Sequence, residues 1–343
     1  MVIWLHRPSK ASNVVLRKGQ LLSQAGDTDP SRRQCTDDIE KLLEQVRTEG
    51  ADGLLLDLSR NGGGLLEHAV TISGFFIRKG EVVGVEDARG QLSILRDRDE
   101  RILYSGPLVV HTSRVSASAS EILAGALKDY KRAVITGEDH TFGKGTVQTV
   151  TQLPPGQGAL KITTALFFRP GGQSTQNDGV SVDVPIPSLL TTEDFGERTQ
   201  RYALPSERIS PFLTSYANAI GPDDRAGRVG ATALAELAKR SRERVEESEE
   251  FAEVRRKIAE AREKNGVVRL ADMLKEREEA ETLAQSDGED AAQVQGGATE
   301  GPSANAGHPN DYAAGEPTEA LTPQVEEALN VLKDLVALSH HDA

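Results

Sequence analysis

Three short apolar runs constrain this chain more than any other feature. They are Gly53-Leu-Leu-Leu-Asp-Leu58, Pro107-Leu-Val-Val-His111 and Ala133-Val-Ile-Thr-Gly137. Each reads as a strand. The first, a short and continuously apolar run, fits a central strand buried on both faces. Between them, Leu65, Leu66, Ala69, Val70, Ser73 and Phe76, and then Ile122, Leu123, Ala126, Leu127 and Tyr130, recur at helical spacing. Alternating strands and helices predict an α/β core.

The surrounding pattern extends that core. Thr36 can cap a helix with Asp37 and Asp38 in its first turn and Ile39, Leu42, Leu43 and Val46 on one face, ended by Gly50. Val82 to Glu86 and Gln91 to Arg96 read as a hairpin around Ala88-Arg-Gly90. Val147 to Leu153 and Leu160 to Arg169 read as a second strand pair around Pro154-Pro-Gly-Gln-Gly158, and a Gly- and Asn-rich loop, 171–179, leads to a strand over Val180 to Pro185. Residues 1–33 lack a clear period, so at most one strand and otherwise poor order are expected there. Residues 228–282 read as charged helix interrupted near Asn265-Gly266, and 284–320 hold hardly any large apolar residue and are expected to be disordered. Thr322-Pro323 starts a final helix with Val325, Ala328, Leu329, Leu332 and Val336 along one docking face. The expected division is therefore an N-terminal segment 1–33, an α/β core 34–190, a linker and helical region 191–283, a disordered stretch 284–320 and an amphipathic helix 321–343.

A net charge of −13 argues against general nucleic-acid binding, because neutralising phosphates needs a basic face. No apolar run is long enough to span a membrane. The single cysteine, Cys35, excludes an internal disulfide and a cysteine-rich metal site, and the seven histidines are scattered. No metal and no cofactor are expected.

Three stretches carry chemistry. Arg114-Val-Ser-Ala-Ser-Ala-Ser-Glu-Ile122 is a small-residue turn from a strand into a helix, where free backbone N–H groups favour developing negative charge. Ser118-Ala-Ser-Glu121 also matches a capping box, so ordinary helix capping is the competing reading of Ser118 and Glu121. Thr141-Phe-Gly-Lys-Gly-Thr-Val-Gln148 sets Lys144 between two glycines. It narrowly misses the phosphate-loop spacing, and a solvated loop lysine is the plainest reading. Asn61-Gly-Gly-Gly64 is a turn by default, yet its place between a buried strand and a helix would pre-aim backbone N–H groups as an oxyanion site requires.

Taken together, Asp57-Leu-Ser-Arg-Asn-Gly-Gly-Gly64, Ser116-Ala-Ser-Ala-Ser-Glu-Ile-Leu-Ala124, Thr141 to Gln148 and Gly172-Gln-Ser-Thr-Gln176 resemble the motifs of the carboxyl-terminal processing peptidases, also called tail-specific proteases. The Ala203-Leu-Pro205 segment and charged helical tail resemble the longer, tail-specific branch. The resemblance implies a Ser/Lys serine endopeptidase on a crotonase/ClpP-like α/β core with a charged α-helical C-terminal region. It implies Ser118 as nucleophile, Lys144 as base, Gln148 as the residue that holds the lysine amine, and the backbone N–H groups of Ala119 and of Gly64, with Gly63 next to it, as oxyanion donors. Glu121 and Thr141 adjoin this set as supporting residues. Asp129, of the Asp-Tyr pair after the serine helix, is a further candidate. It lies eleven residues after Ser118, roughly 16 Å of helical rise, which favours a structural role.

For Lys144 to accept the serine proton its amine must be neutral, which calls for a desolvated site without nearby carboxylates. The resemblance further implies protein or peptide substrates with apolar C-termini, and an adaptor or self-association through the C-terminal helices. Family members of this branch carry a PDZ domain and further helical segment before the core, and a core strand before the 38–48 helix. None is recognisable here, so an N-terminally shortened chain is expected. Family members are exported to the periplasm, whereas this chain, as written, starts without an export signal and reads as cytoplasmic. Two other functions stay open: a catalytically silent binding or scaffold module, and a phosphate-binding protein using Gly143-Lys-Gly145.

Overall fold

The structure is a computed structural model that describes residues 2–6, 14–17, 35–192, 195–213, 228–263 and 321–339. Two compact units divide the chain, one comprising 1–259 with 322–343 and the other 260–321.

The strands in chain order are β1 (Val2–His6), β2 (Val14–Arg17), β3 (Gly53–Asp57), β4 (Gly80–Asp87), β5 (Leu92–Asp97), β6 (Leu108–His111), β7 (Val134–Gly137), β8 (Thr146–Gln152), β9 (Ala159–Phe168) and β10 (Val184–Pro185). The helices are α1 (Cys35–Glu49), α2 (Leu66–Gly74), α3 (Ala119–Asp129), α4 (Ala231–Glu247), α5 (Glu249–Glu263) and α6 (Pro323–Ser339). The main sheet runs in the order β10-β7-β6-β3-β1-β2. Strands β10, β7, β6 and β3 are parallel, and β1 and β2 are antiparallel additions at the β3 edge. The second sheet, β5-β4-β9-β8, is antiparallel.

The apolar runs do what their composition requires. Alternation along each strand sends neighbouring side chains to opposite faces. Leu54, Leu56, Leu58, Leu108, Val110 and Ile135 join the core formed with α1, α2 and α3. Leu55, Val109 and Val134 are equally buried. They share the face of Gly53, where an added side chain would meet Leu332 and Val336 of α6. The last helix therefore covers the second face of the sheet, as its apolar stripe predicts. Helix α4 packs beside it, joined by Arg244 to Glu327 and Asp334 and by Arg240 to Asp334.

Four expectations change. Two strands rather than at most one fall before residue 33, and β1 is the antiparallel neighbour of β3. Runs of four or five residues among polar neighbours are too short to carry a legible period. The strand expected over 180–185 contracts to β10, because the segment before it follows a loop path whose Val182 N–H bonds Asp139 O. Thr36 lies inside α1 rather than at its cap. The helical tail already breaks at Ser248, which takes an extended ψ of 129° and whose Oγ accepts the Phe251 N–H at 3.3 Å, capping α5; the interruption expected near Asn265-Gly266 falls outside the described residues. The stretches 265–282 and 284–320 lie outside the described residues. No helix among the described residues is long and apolar enough to cross a membrane.

Candidate active site

Strands β3, β6 and β7 are parallel neighbours, so their carboxyl ends lie side by side. The Asn61–Gly64 loop follows β3, the serine turn follows β6 and the lysine loop follows β7. Open parallel sheets gather binding groups at this end. Three stretches far apart in sequence are thereby brought to one place.

The glycine loop and the serine turn are stitched together. Asn61 O accepts the Ala117 N–H at 3.2 Å and the Ser120 hydroxyl at 3.0 Å. Ser116 Oγ donates to Leu58 O at 2.8 Å. Both of these serines are completely buried. Between them Ser118 is only half-buried. Its backbone sits at φ +57°, ψ −117°, a conformation that L-residues adopt at a cost on the order of 1–3 kcal/mol. A sharp strained turn from strand to helix lifts a hydroxyl out of the surrounding structure. Gly63, at φ +105°, lies directly on this turn: a Cβ there would stand 2.6 Å from Ala117 O, 2.9 Å from Ser118 Cβ and 3.0 Å from Ala119 N. The Gly63 N–H is taken by Asn61 Oδ1 at 2.9 Å. Gly64, the next residue, is exposed. Ala119 supplies the first amide of α3.

Glu121 is the fixed point of the site. It is fully buried, and Oε2 accepts from the N–H groups of Ser118 at 2.8 Å and Lys144 at 2.9 Å. Oε1 accepts from the Thr141 hydroxyl at 2.5 Å and the Gly143 N–H at 2.7 Å. Burial pushes its carboxyl up to about 7, against the opposing pull of those four donors. The capping reading of Glu121 is correct but incomplete: the same carboxylate that caps α3 clamps the lysine loop. Thr141 in turn receives the Val180 N–H at 2.8 Å, so it supports Glu121 from behind.

Lys144 is half-buried, and its Nζ donates to Gln148 Oε1 at 3.1 Å. Gln148 lies just past a register shift in β8, where irregular pairing redirects a side chain. The amine is held below the ordinary lysine range by burial and then by the nearby Lys161, while Glu197 and Glu121 oppose the shift. The expectation of a site without carboxylates is thus corrected. Both come from elements distant in sequence, and Glu121 bonds the Lys144 backbone amide. The Gly145 N–H bonds Gln176 Oε1 at 2.9 Å, and the Thr175 hydroxyl donates to Lys144 O at 3.1 Å. Three successive amides, 143 to 145, are therefore satisfied by side chains, which leaves that run unsuited to cradling phosphate.

Asp129 is not brought to this place. It ends α3, pairs with Arg169 in near-complete burial and accepts the Gly171 N–H at 2.8 Å. Among the described residues no three His, Cys, Asp or Glu side chains converge as metal ligands would. Gln176 stands in a motif legible in the sequence, but its partner Glu197 and the charge on Lys161 carry no local signal.

Comparison with known proteins gives two family profiles that together span most of the chain. "Peptidase family S41" matches residues 26–186, and "C-terminal domain of tail specific protease" matches residues 190–337. The chain is 41% identical to the tail-specific protease of Haemophilus influenzae over 181 residues, 51% of this chain and 26% of that protein. It is 40% identical to the chloroplastic C-terminal processing peptidase of Tetradesmus obliquus over 155 residues, 45% of this chain and 33% of that protein. The solved photosystem II D1 C-terminal processing protease is 39% identical, covering 44% of this chain and 39% of that one with a TM-score of 0.41. The chain thus spans about a quarter to a third of the length of these curated relatives.

Proposed function

The chain belongs to peptidase family S41, and from that membership we propose that it is a serine-type endopeptidase in which Ser118 attacks the peptide carbonyl and Lys144 acts as base. The observation that carries the proposal is the common clamp. One carboxylate oxygen holds the backbones of both residues, while the neighbouring serines are consumed by the fold.

The neutral Lys144 amine takes the Ser118 proton as Oγ bonds to the carbonyl carbon, forming a tetrahedral oxyanion. The N–H groups of Ala119 and Gly64 face the developing charge, Gly63 being engaged by Asn61. Collapse breaks the C–N bond, Lys144 gives its proton to the departing amine, and an acyl-enzyme on Ser118 remains. Water, deprotonated by Lys144, then releases the acid. Gln148 orients the amine without the charge stabilisation a carboxylate would add. Glu121 and Thr141 act through the backbone, and Asp129 has a structural role.

The relatives' names, tail-specific and C-terminal processing, support protein substrates cut at or near their C-termini. Apolar C-termini are the proposed preference. The proposed catalytic region is 34–190, followed by the helical region, whose α4 and α6 are candidates for holding an adaptor or a second copy. A cell-envelope location, as for exported members of the family, is part of the same reading.

The test is cleavage of an unfolded protein with an apolar C-terminus by the wild type and by Ser118→Ala at equal concentration. Cleavage by the wild type alone is expected. Equal cleavage by both would overturn the assignment.

A further inference from the structure

The loop that carries Lys144 is held at Phe142 by a strap that lies outside the stretch matched by the peptidase profile. Phe195 packs edge-on against Phe142, with ring centroids 5.6 Å apart at 79°. The Glu197 N–H donates to Phe142 O at 2.9 Å. Between them Gly196 has φ +132°, and a side chain there would come within 2.6 Å of Phe142 O, so only glycine lets the strap lie this close. On the other side of Lys144, Gln176 accepts the Gly145 N–H through Oε1 at 2.9 Å. It donates through Nε2 to Glu197 Oε1 at 3.4 Å and to Leu204 O at 3.1 Å. The strap thus reaches the lysine loop directly at Phe142 and, through Gln176, at Gly145.

We propose that residues 195–197 are a positioning element for Lys144, with Glu197 acting both through Gln176 and through its own charge on the Lys144 amine. This rests on the reading of Lys144 as the base. Among the described residues, three charged groups act on that amine from the elements around it: Lys161 on β9, Glu121 on α3 and Glu197 on the strap. Lys161 and burial favour the neutral amine, whereas Glu197 is the larger of the two influences that favour the charged one. Arg198, the next residue, turns instead to His140. Glu197 therefore holds the lysine loop in place and pulls the amine toward its charged form, against the stronger opposite push of burial and Lys161. The region with the second family profile, 190–337, would in this way help set the base of the first.

Glu197→Gln keeps an acceptor for Gln176 and removes the charge, so it separates the two actions. The first readout is direct titration of the Lys144 amine in full-length Ser118→Ala protein, from the pH dependence of its acylation by acetic anhydride followed by mass spectrometry. The second is the pH profile of kcat/KM in the active protein.

Removing a negative charge disfavours the protonated amine. Glu197→Gln should move the Lys144 midpoint and the acid limb to lower pH, giving several-fold faster cleavage on that limb with the plateau little changed. Gly196→Ala should lower kcat while the thermal midpoint stays close to wild type. If Glu197→Gln fails to fold, Glu197→Asp, which withdraws the charge by one methylene, should move the midpoint the same way by less. An unmoved Lys144 midpoint in folded variants would overturn the proposal. A moved midpoint without any cleavage in the wild type would uphold it while removing Lys144 as the base of a peptidase.

Discussion

The backbone N–H groups of Ser118 and Lys144 donate to one and the same oxygen, Glu121 Oε2, at 2.8 and 2.9 Å. The two residues are 26 apart in sequence, yet their main chains are held by one atom. The other carboxylate oxygen is filled by Thr141 and Gly143. Glu121→Gln would turn an NH2 group toward two donors that require an acceptor. Leaving buried donors unsatisfied costs about 1–3 kcal/mol, so denaturant titration should show at least that loss, and cleavage should fall with it.

The same carboxyl gives a pH dependence of stability. Its folded value is about 7 against an ordinary 4.5, so the folded state binds the proton more tightly than the unfolded one. Stability from this group is fully present below about 4.5, declines as pH rises to about 7 and is flat above. Thermal midpoints across that window in wild type and Glu121→Gln should differ in slope. Equal slopes would mean the carboxyl does not titrate there.

Strain at Ser118 gives an opposite pairing of stability and activity. Ser118→Gly relieves the positive φ and should raise stability by about 1 kcal/mol while abolishing cleavage. Ser118→Ala should abolish cleavage without relieving the backbone. A thermal midpoint for the glycine variant no higher than that of the alanine variant would contradict the strained turn.

Lys144→Ala should remove cleavage with the fold kept. Lys144→Arg should fail as well, since a guanidinium stays protonated. Because burial and Lys161 hold the Lys144 amine below the ordinary lysine value, the acid limb of the wild-type kcat/KM profile should lie below pH 10.5. Activity should fall as pH drops through it.

Asp129 should behave as a stability residue. Asp129→Asn leaves Arg169 buried without its counter-ion, which costs about 3–5 kcal/mol. Cleavage per folded molecule should stay near wild type. A large fall in kcat for folded protein would place Asp129 in the chemistry after all.

The sequence makes the central strands legible for a physical reason. Burial on both faces leaves unbroken apolar runs such as Leu54 to Leu56, and no other environment selects them so plainly. Ser118, Lys144 and Gln148 are legible as motifs. What Glu121 does is not, because a capping glutamate and a glutamate that also holds a loop more than twenty residues away are written alike. Glu197 and Lys161 are silent for the same reason, since their influence on Lys144 arises only when the strap and β9 fold back. The break at Ser248 is hidden by composition, which stays rich in Ala, Glu and Arg on both sides of it.

Covering Leu55, Val109 and Val134 with α6 has a consequence for synthesis. The helix that closes this face is made some 270 residues after β3. At about 5–20 residues per second the ribosome leaves that apolar surface uncovered for on the order of ten seconds or more. Until then the nascent sheet can gather the three motifs but has one bare side. A stop codon just before residue 322 should therefore yield a chain that carries every proposed catalytic residue yet binds chaperones or aggregates rather than folding.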